Sequence, residues 1–357
     1  MITKRHLILG TAATAGLASL GMPLARAQSK TLRVSTYGGS WLEAVKKDIE
    51  PRFKERTGAS VEYIVGGPRE SLGKLLAAKG QNVPFDIVEW PDDIQAEAVK
   101  QGLVESVDRA QVPNIGNLQP EATLRKGYSP AASWVISGLI YNGAKLKEAG
   151  ISAPAGYEAL MEPRLAGHVA LPDIRNPVTV AFLAGLNKQL SGNETEIDKS
   201  LAFLQGVKDP IFYPNFAVLQ SRFAAGDIWL VPGNLAYVVR LRSATPETEF
   251  VRPQIGNRRA VAQANIVDIV KGTPERALAE AWLNVVFDAD VEYAFARATG
   301  YAPTQLLAAQ RLGADPKLAR GFLTDPHDVA GLFFPDWDQV NAAYPQWIEK
   351  WNRAMRR

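Results

Sequence analysis

Three strand–helix units in a row constrain this chain more than any other feature. Residues 31–36 read as a strand and 40–57 as a helix, with Trp41, Val45, Ile49 and Phe53 on one face and Gly58 as its stop. Residues 61–65 (VEYIV) are a second strand, and 68–80 a helix with Pro68 at its start. Residues 85–90 (FDIVEW) are a third strand. The helix over 91–102 opens with Pro91 and two acids, Asp92 and Asp93, which suit the positive end of a helix dipole. Such repeats predict a parallel sheet with crossover helices, hence an α/β fold.

Residues 131–142 (AASWVISGLIYN) break the alternation with one long apolar stretch, suited to a strand that crosses from one lobe to another. A second α/β region follows. Strands are expected over 168–173 and 227–232, and helices over 176–190, 197–207 and 215–226. Residues 260–272 are again long and strand-like. The helix over 273–288 is expected to take Thr273 as N-cap and Pro274 as its first residue. The two extended segments predict a double hinge between lobe 1 (28–135 plus 265–310) and lobe 2 (136–264). Residues 311–357 read as C-terminal helices packing on the lobes, divided by Pro326, Pro335 and Pro345.

Ahead of the fold, residues 1–27 read as a cleavable export signal. Lys4 and Arg5 precede an apolar segment, and Ala25-Arg26-Ala27 forms an A-x-A site before Gln28. The Lys4-Arg5 pair resembles a twin-arginine signal, and Sec export stays open. The signal holds three of the 40 Lys and Arg residues, leaving 37 bases against 37 acids in the mature chain. That balance gives no electrostatic case for nucleic acid. There is no cysteine, so neither a disulfide nor an N-terminal lipid is available. A soluble, monomeric periplasmic protein is expected.

In open α/β sheets the ligand crevice lies beyond the C-terminal ends of the strands. Tyr37-Gly38-Gly39-Ser40-Trp41 and Trp90-Pro91-Asp92-Asp93 sit at such ends. Glycines let backbone approach a ligand, a helix start offers free N–H groups, and aromatic rings provide apolar walls. Trp41 also falls on the apolar face of its helix, so a core role stays open. Of the two acids Asp92 is retained as a candidate, and Arg69 reads as a solvated arginine.

Several pieces in order carry a family resemblance: LRVSTYGGSW, DIVEWPDDIQAEAVKQGLVESVD, GLIYNGAKLKEAG, LMEPRLAGHVALPD, AAGDIWLV and GTPERALAEAWLNVVFDADVEYAFARATGYAPT. The chain resembles the periplasmic solute-binding proteins of ABC importers, nearest their spermidine/putrescine-type branch. The resemblance implies a type II periplasmic binding protein fold: two lobes, each a mainly parallel sheet flanked by helices. It implies a small-molecule solute and delivery to an inner-membrane permease and its ATPase. It also adds Asp173, Arg175, Asn176, Asn234, Tyr237 and Asn265 to the candidate site.

The branch's pattern is not fully met. Polyamine binders tend to show Trp and Asp where this chain has Ala264-Asn265, and LPDIRNP sets Arg175 beside Asp173. Arginine pairs bidentately with carboxylate or phosphonate. A zwitterionic amino-acid-like or aminophosphonate-like ligand therefore fits better than a dicationic polyamine, with Tyr37 and Trp90 facing its apolar or ammonium part. No hydrolase, metalloprotease or nucleotide-binding motif is present. His6, His168 and His327 are isolated, so the sequence calls for no metal and no cofactor. The alternative, a periplasmic enzyme or sensor domain on the same fold, stays open.

Overall fold

A computed structural model describes residues 30–315, 322 and 325–355. The expected export signal lies outside them. β1 (Thr31–Thr36) leads into α1 (Ser40–Ala44), a π-helical turn at Val45–Ile49, and α2 (Glu50–Thr57). Apolar residues spaced strictly by four drift around a 3.6-residue helix. The π turn takes up that drift, and Val45, Ile49 and Phe53 all reach the core. β2 (Ser60–Val65), α3 (Pro68–Ala78), β3 (Ile87–Pro91) and α4 (Asp92–Lys100) follow. β1 lies between β2 and β3 and is parallel to both, with Val34 opposite Tyr63 and Ile87. Pro91 ends the strand and stands at the N-cap of α4 rather than inside it.

The long stretch after these units is β4 (Ala131–Asn142), at the bounds the sequence predicts. Beyond it come α5 (Gly143–Glu148), β5 (Ala170–Pro172), α6 (Pro177–Ser191), α7 (Asp198–Gln205), β6 (Ile211–Tyr213) and α8 (Phe216–Ala224). Then follow β7 (Leu230–Asn234), α9 (Leu235–Leu241), β8 (Thr248–Val251) and β9 (Gln254–Ile255). β5 and β6 are parallel. α6 is buried along its length from Val178 to Asn187, as a helix apolar on all sides must be. The chain returns through β10 (Arg258–Ile269), α10 (Arg276–Val286), α11 (Ala289–Thr299), β11 (Ala302–Pro303), α12 (Leu306–Gly313) and, later, β12 (Leu332–Phe333). α10 begins at Arg276, later than the sequence predicts. Thr273 does not cap a helix starting at Pro274; its hydroxyl donates to Asp86 and accepts the Glu275 N–H.

β4 and β10 are the two crossing strands. Residues 131–136 of β4 pair with β10 and β11, while 137–142 pair with β7 and β8. β10 changes partners opposite that point: from Ala262 onward it pairs with β4 and then β3, and before it with β9 and β12. The molecule is thus two-lobed, with a double hinge, and we place the lobe boundary at this change of partners. Gly138 sits just past it. A side chain there would run into the Val251 carbonyl and the Phe250 ring, so only glycine lets β8 approach.

A third connection is the C-terminal helix, Trp337–Met355. Its first turns grip lobe 1: the Trp337 indole donates to Asp92 at 2.7 Å, and the Asn341 amide donates to the Asp93 carbonyl at 2.8 Å. Its later turns grip lobe 2: Tyr344 donates to the Ile174 carbonyl, Trp347 to the Thr195 carbonyl, and Lys350 to Asp198. Pro345 lies inside this helix and does not divide it. Trp337, Val340, Trp347 and Trp351 are buried on both sides of the proline. At about 1.5–3 kcal/mol per large apolar side chain, that burial outweighs the ~3 kcal/mol an interior proline costs.

Candidate ligand-binding cleft

The strand ends and the crossing strands enclose a cleft of about 550 Å³. From lobe 1, the β1–α1 turn brings Tyr37, Gly38, Ser40 and Trp41, the start of α3 brings Arg69, and the start of α4 brings Asp93. From lobe 2, the start of α6 brings Arg175 and Asn176, and α9 brings Asn234, Tyr237 and Arg240. β10 contributes Gln263 and Asn265, the segment after α11 contributes Tyr301, and the C-terminal helix contributes Tyr344.

The β1–α1 turn answers why glycine and aromatic residues meet there. Gly39 has φ 64° and ψ −142°, a conformation that disfavours a side chain. It lies at the exposed lip rather than in the cleft wall. Tyr37 meets Trp41 edge-on at 5.1 Å, and Trp41 meets Phe295 and Tyr301 at 4.8 and 5.5 Å. The Trp41 indole donates to Glu89 at 2.6 Å, and the Thr36 hydroxyl donates to the same carboxylate. Trp41 therefore serves the core and the cleft wall together.

Besides Gly39, three sequence candidates lie elsewhere. Trp90 is wholly buried, and its indole donates to Asp268 at 2.8 Å. Successive strand residues face opposite ways. Glu89 faces Trp41, a residue of the cleft wall, so Trp90 is turned from it. Asp92 is buried and receives the Trp337 indole, which makes it an anchor for the C-terminal helix. Burial and the neighbouring Asp93 push its pKa up to about 7. Asp173 folds back on its own loop, accepting the Arg175 N–H at 3.0 Å. It forms no ion pair with the Arg175 guanidinium.

Asp93 is the acid that faces the cleft. It is 6% exposed, its Oδ2 is 3.7 Å from the Arg69 guanidinium, and its Oδ1 is buried without a hydrogen-bond partner. Burial raises its pKa, partly offset by Arg69. Opposite, Arg175 is exposed and has no ion pair among the described residues. Beside it Asn176 caps α6 through its Oδ1, which accepts the Val178 N–H at 3.1 Å. The Asn176 Nδ2 is buried and unpartnered. Asn234 caps α9 in the same way, accepting the Tyr237 N–H at 3.1 Å, and the Asn265 amide donates to Ser133 at 2.9 Å.

Sequence reading missed Asp93 and Arg240. It also passed over Arg69, whose guanidinium lies 5.7 Å from the Tyr344 ring. A usable signal for Arg240 existed. It lies three residues after Tyr237, and residues so spaced share a helix face. Glu70, the other acid at the rim, is paired with Lys74 at 2.7 Å. The cleft thus holds more guanidinium than available carboxylate. Among the described residues, no group of three or more His, Cys, Asp or Glu is placed to hold a metal, and no helix is long and apolar enough to cross a membrane.

This two-lobed fold, with a polar cleft at its hinge, defines a solute receptor. Residues 51–320 match the family of bacterial extracellular solute-binding proteins, and the chain belongs to that family. It is 25% identical to the spermidine/putrescine-binding periplasmic protein of Escherichia coli K12 over 365 residues, 97% of each chain. Among solved structures it resembles the spermidine/putrescine substrate-binding protein PotD of Streptococcus pneumoniae, with TM-score 0.74 and 16% identity over 92% of this chain and 100% of that one. It also resembles the periplasmic binding protein AgtB of A. tumefaciens R10 in complex with agropinic acid, with TM-score 0.68 and 21% identity over 91% of this chain and 98% of that one. The matched family is one of solute-binding proteins, and that is the class of this protein.

Proposed function

We propose that the protein is a periplasmic receptor that captures a small solute carrying both an amine and an anionic group, and delivers it to an ABC permease. One observation carries the reading. The cleft lining brings together Arg175, exposed and without an ion pair among the described residues, Asp93, which keeps one unpartnered oxygen besides its 3.7 Å contact with Arg69, and the unpartnered Asn176 amide. Buried polar groups left unpaired cost about 1–3 kcal/mol each, so a ligand that meets Asp93 and the Asn176 amide is favoured, and one that also brings an acid finds the Arg175 guanidinium beside them. Asp93 takes the amine in place of Asp173, with Tyr37 and Trp41 rather than Trp90 as its aromatic walls. A polyamine has nothing for Arg175. The similarly folded AgtB, in complex with agropinic acid, supports an acid-bearing ligand.

The test is a thermal-shift and calorimetric screen of polyamines against amino acids, aminophosphonates and other amine-bearing acids. A ligand at 100-fold excess over its dissociation constant adds about 2.7 kcal/mol to stability. Amine-bearing acids are expected to bind, and closure about β4 and β10 should reduce the radius of gyration in X-ray scattering. Tight putrescine binding that survives Arg175→Ala would overturn the reading. We also place the export cleavage before Gln28, which mass spectrometry of the periplasmic protein tests.

A further inference from the structure

Arg240 stands apart from other arginines of the chain. Arg33, Arg276 and Arg311 each meet a carboxylate within 3.0 Å. Arg240 makes no ion pair among the described residues. Its guanidinium lies instead among three aromatic rings: 4.7 Å from Phe216, 5.4 Å from Tyr237 and 6.0 Å from Tyr301. One N–H reaches the Tyr301 hydroxyl only at 3.5 Å, and Nε is buried with no partner. Aromatic faces attract a cation but accept few of its hydrogen bonds. They fix the plane of the guanidinium, keep water from one side, and leave its N–H groups unspent toward the cleft that Arg240 lines. A planar fork so held is prepared for an oxyanion.

We infer that Arg240 is a second anion-binding residue of the cleft, separate from Arg175, and that the solute carries two negative charges besides its amine. The inference rests on the solute-receptor reading above and extends it. Arg175 stands at the start of α6, while Arg240 lies on α9 and reaches Tyr301, across the hinge from its own lobe. Among the described residues two cleft guanidiniums, Arg175 and Arg240, have no acid, while Asp93 keeps one unpartnered oxygen beyond its 3.7 Å pairing with Arg69. A solute that neutralises all three carries two acid charges and one ammonium. Amino dicarboxylates and aminoalkyl phosphonates or phosphates meet that requirement; diamines and neutral sugars do not.

Four probes test it by calorimetry: 4-aminobutyrate with one acid charge, glutamate and 3-aminopropylphosphonate with up to two, and putrescine with none. In the wild type the better of the two-charge probes should bind about tenfold or more tighter than 4-aminobutyrate. Arg240→Gln should weaken that probe by about 10- to 100-fold and 4-aminobutyrate far less, with Arg240→Lys recovering part of the loss. Circular dichroism melting of the free variants reports packing separately. An equal loss for every probe would make Arg240 a structural staple and overturn the inference. An unchanged affinity ratio, or no binding of either two-charge probe, would overturn it too. If 4-aminobutyrate binds through Arg175 while Arg240→Gln changes nothing, this inference alone falls. If putrescine binds tightest and ignores Arg175→Ala, the underlying reading falls with it.

Discussion

The two ends of β1 treat charge in opposite ways. At its start, Arg33 and Asp86 form a closed set: the guanidinium gives Asp86 two hydrogen bonds of 3.1 and 2.7 Å and donates a third to the Val83 carbonyl at 2.7 Å. Asp86 also takes the Thr273 hydroxyl and the Arg33 N–H. At the far end of β1 the chain enters the cleft, where Asp93 keeps an unpartnered oxygen and Arg175 and Arg240 have no acid among the described residues. The residue types are the same and only the partners differ. Where the fold satisfies a charge, the residue holds the fold; where it leaves one open, a ligand can complete it. Residue type alone does not reveal a site, whereas an account of partners does.

The largest expected effect lies at the closed end. Arg33→Met leaves Asp86, which is 0% exposed, without its cation. The cost should be about 3 kcal/mol, the low end for breaking a buried pair, because Arg33 is partly open to solvent. Denaturant unfolding would measure it, and ligand affinity should stay unchanged. Arg175→Ala reverses the pattern. Stability of the free protein should hold, while affinity for an amine-bearing acid falls by about 1.5–3 kcal/mol, the range for hydrogen bonds to charged groups. If Arg175→Ala unfolds the protein instead, the contrast between the two ends fails.

Asp93→Asn should cost about 1.5 kcal/mol of affinity for an amine-bearing ligand. Its pH signature is sharper. Burial raises the Asp93 pKa, so the carboxylate is lost at a pH above the usual carboxylate range. Affinity for the amine should fall on acidification through that raised value, and Asp93→Asn should flatten the profile in a calorimetric pH series.

The last effect concerns the fold. Burial pushes Asp268 up to about 6, Glu89 and Asp92 to about 7, and Glu292 to about 8. A raised carboxyl pKa means that the folded state binds protons the unfolded chain has released. That contribution is complete below the unfolded range near pH 4 and is lost as pH rises through about 6 to 8. The values stay raised although these carboxylates accept hydrogen bonds, among them Trp90 on Asp268 and the Thr304 and Gln305 N–H groups on Glu292. The melting temperature of the free protein should therefore be higher at pH 5.5 than at pH 8.5. A melting temperature that climbs steadily with pH would contradict it.

The same distinction explains what the sequence revealed. Strands buried on both faces announce themselves by composition, so β1 and β4 stand at their expected bounds. Helix starts with a capping asparagine are legible too, as at Asn215 before α8. Side-chain direction was harder. Asp92 and Asp93 are adjacent on one helix turn, and which of them faces the cleft depends on Trp337, far along the chain. Trp90 could have been assigned inward, since Glu89 and Trp90 alternate across a strand. For Arg240 only the spacing from Tyr237 was legible; a charged helix residue reads as solvated until Phe216 and Tyr301, from other segments, close around it.

The central claim is that the open charges of the cleft select a solute bearing acid and amine together. A crystal structure of the closed complex with the tightest-binding solute from the screen tests it most directly. The account predicts an acid group within hydrogen-bond distance of Arg175, the Asn176 amide in contact with the solute, and an ammonium on Asp93 Oδ1. A solute with no acid group, bound against Trp41 with Arg175 turned to solvent, would contradict it.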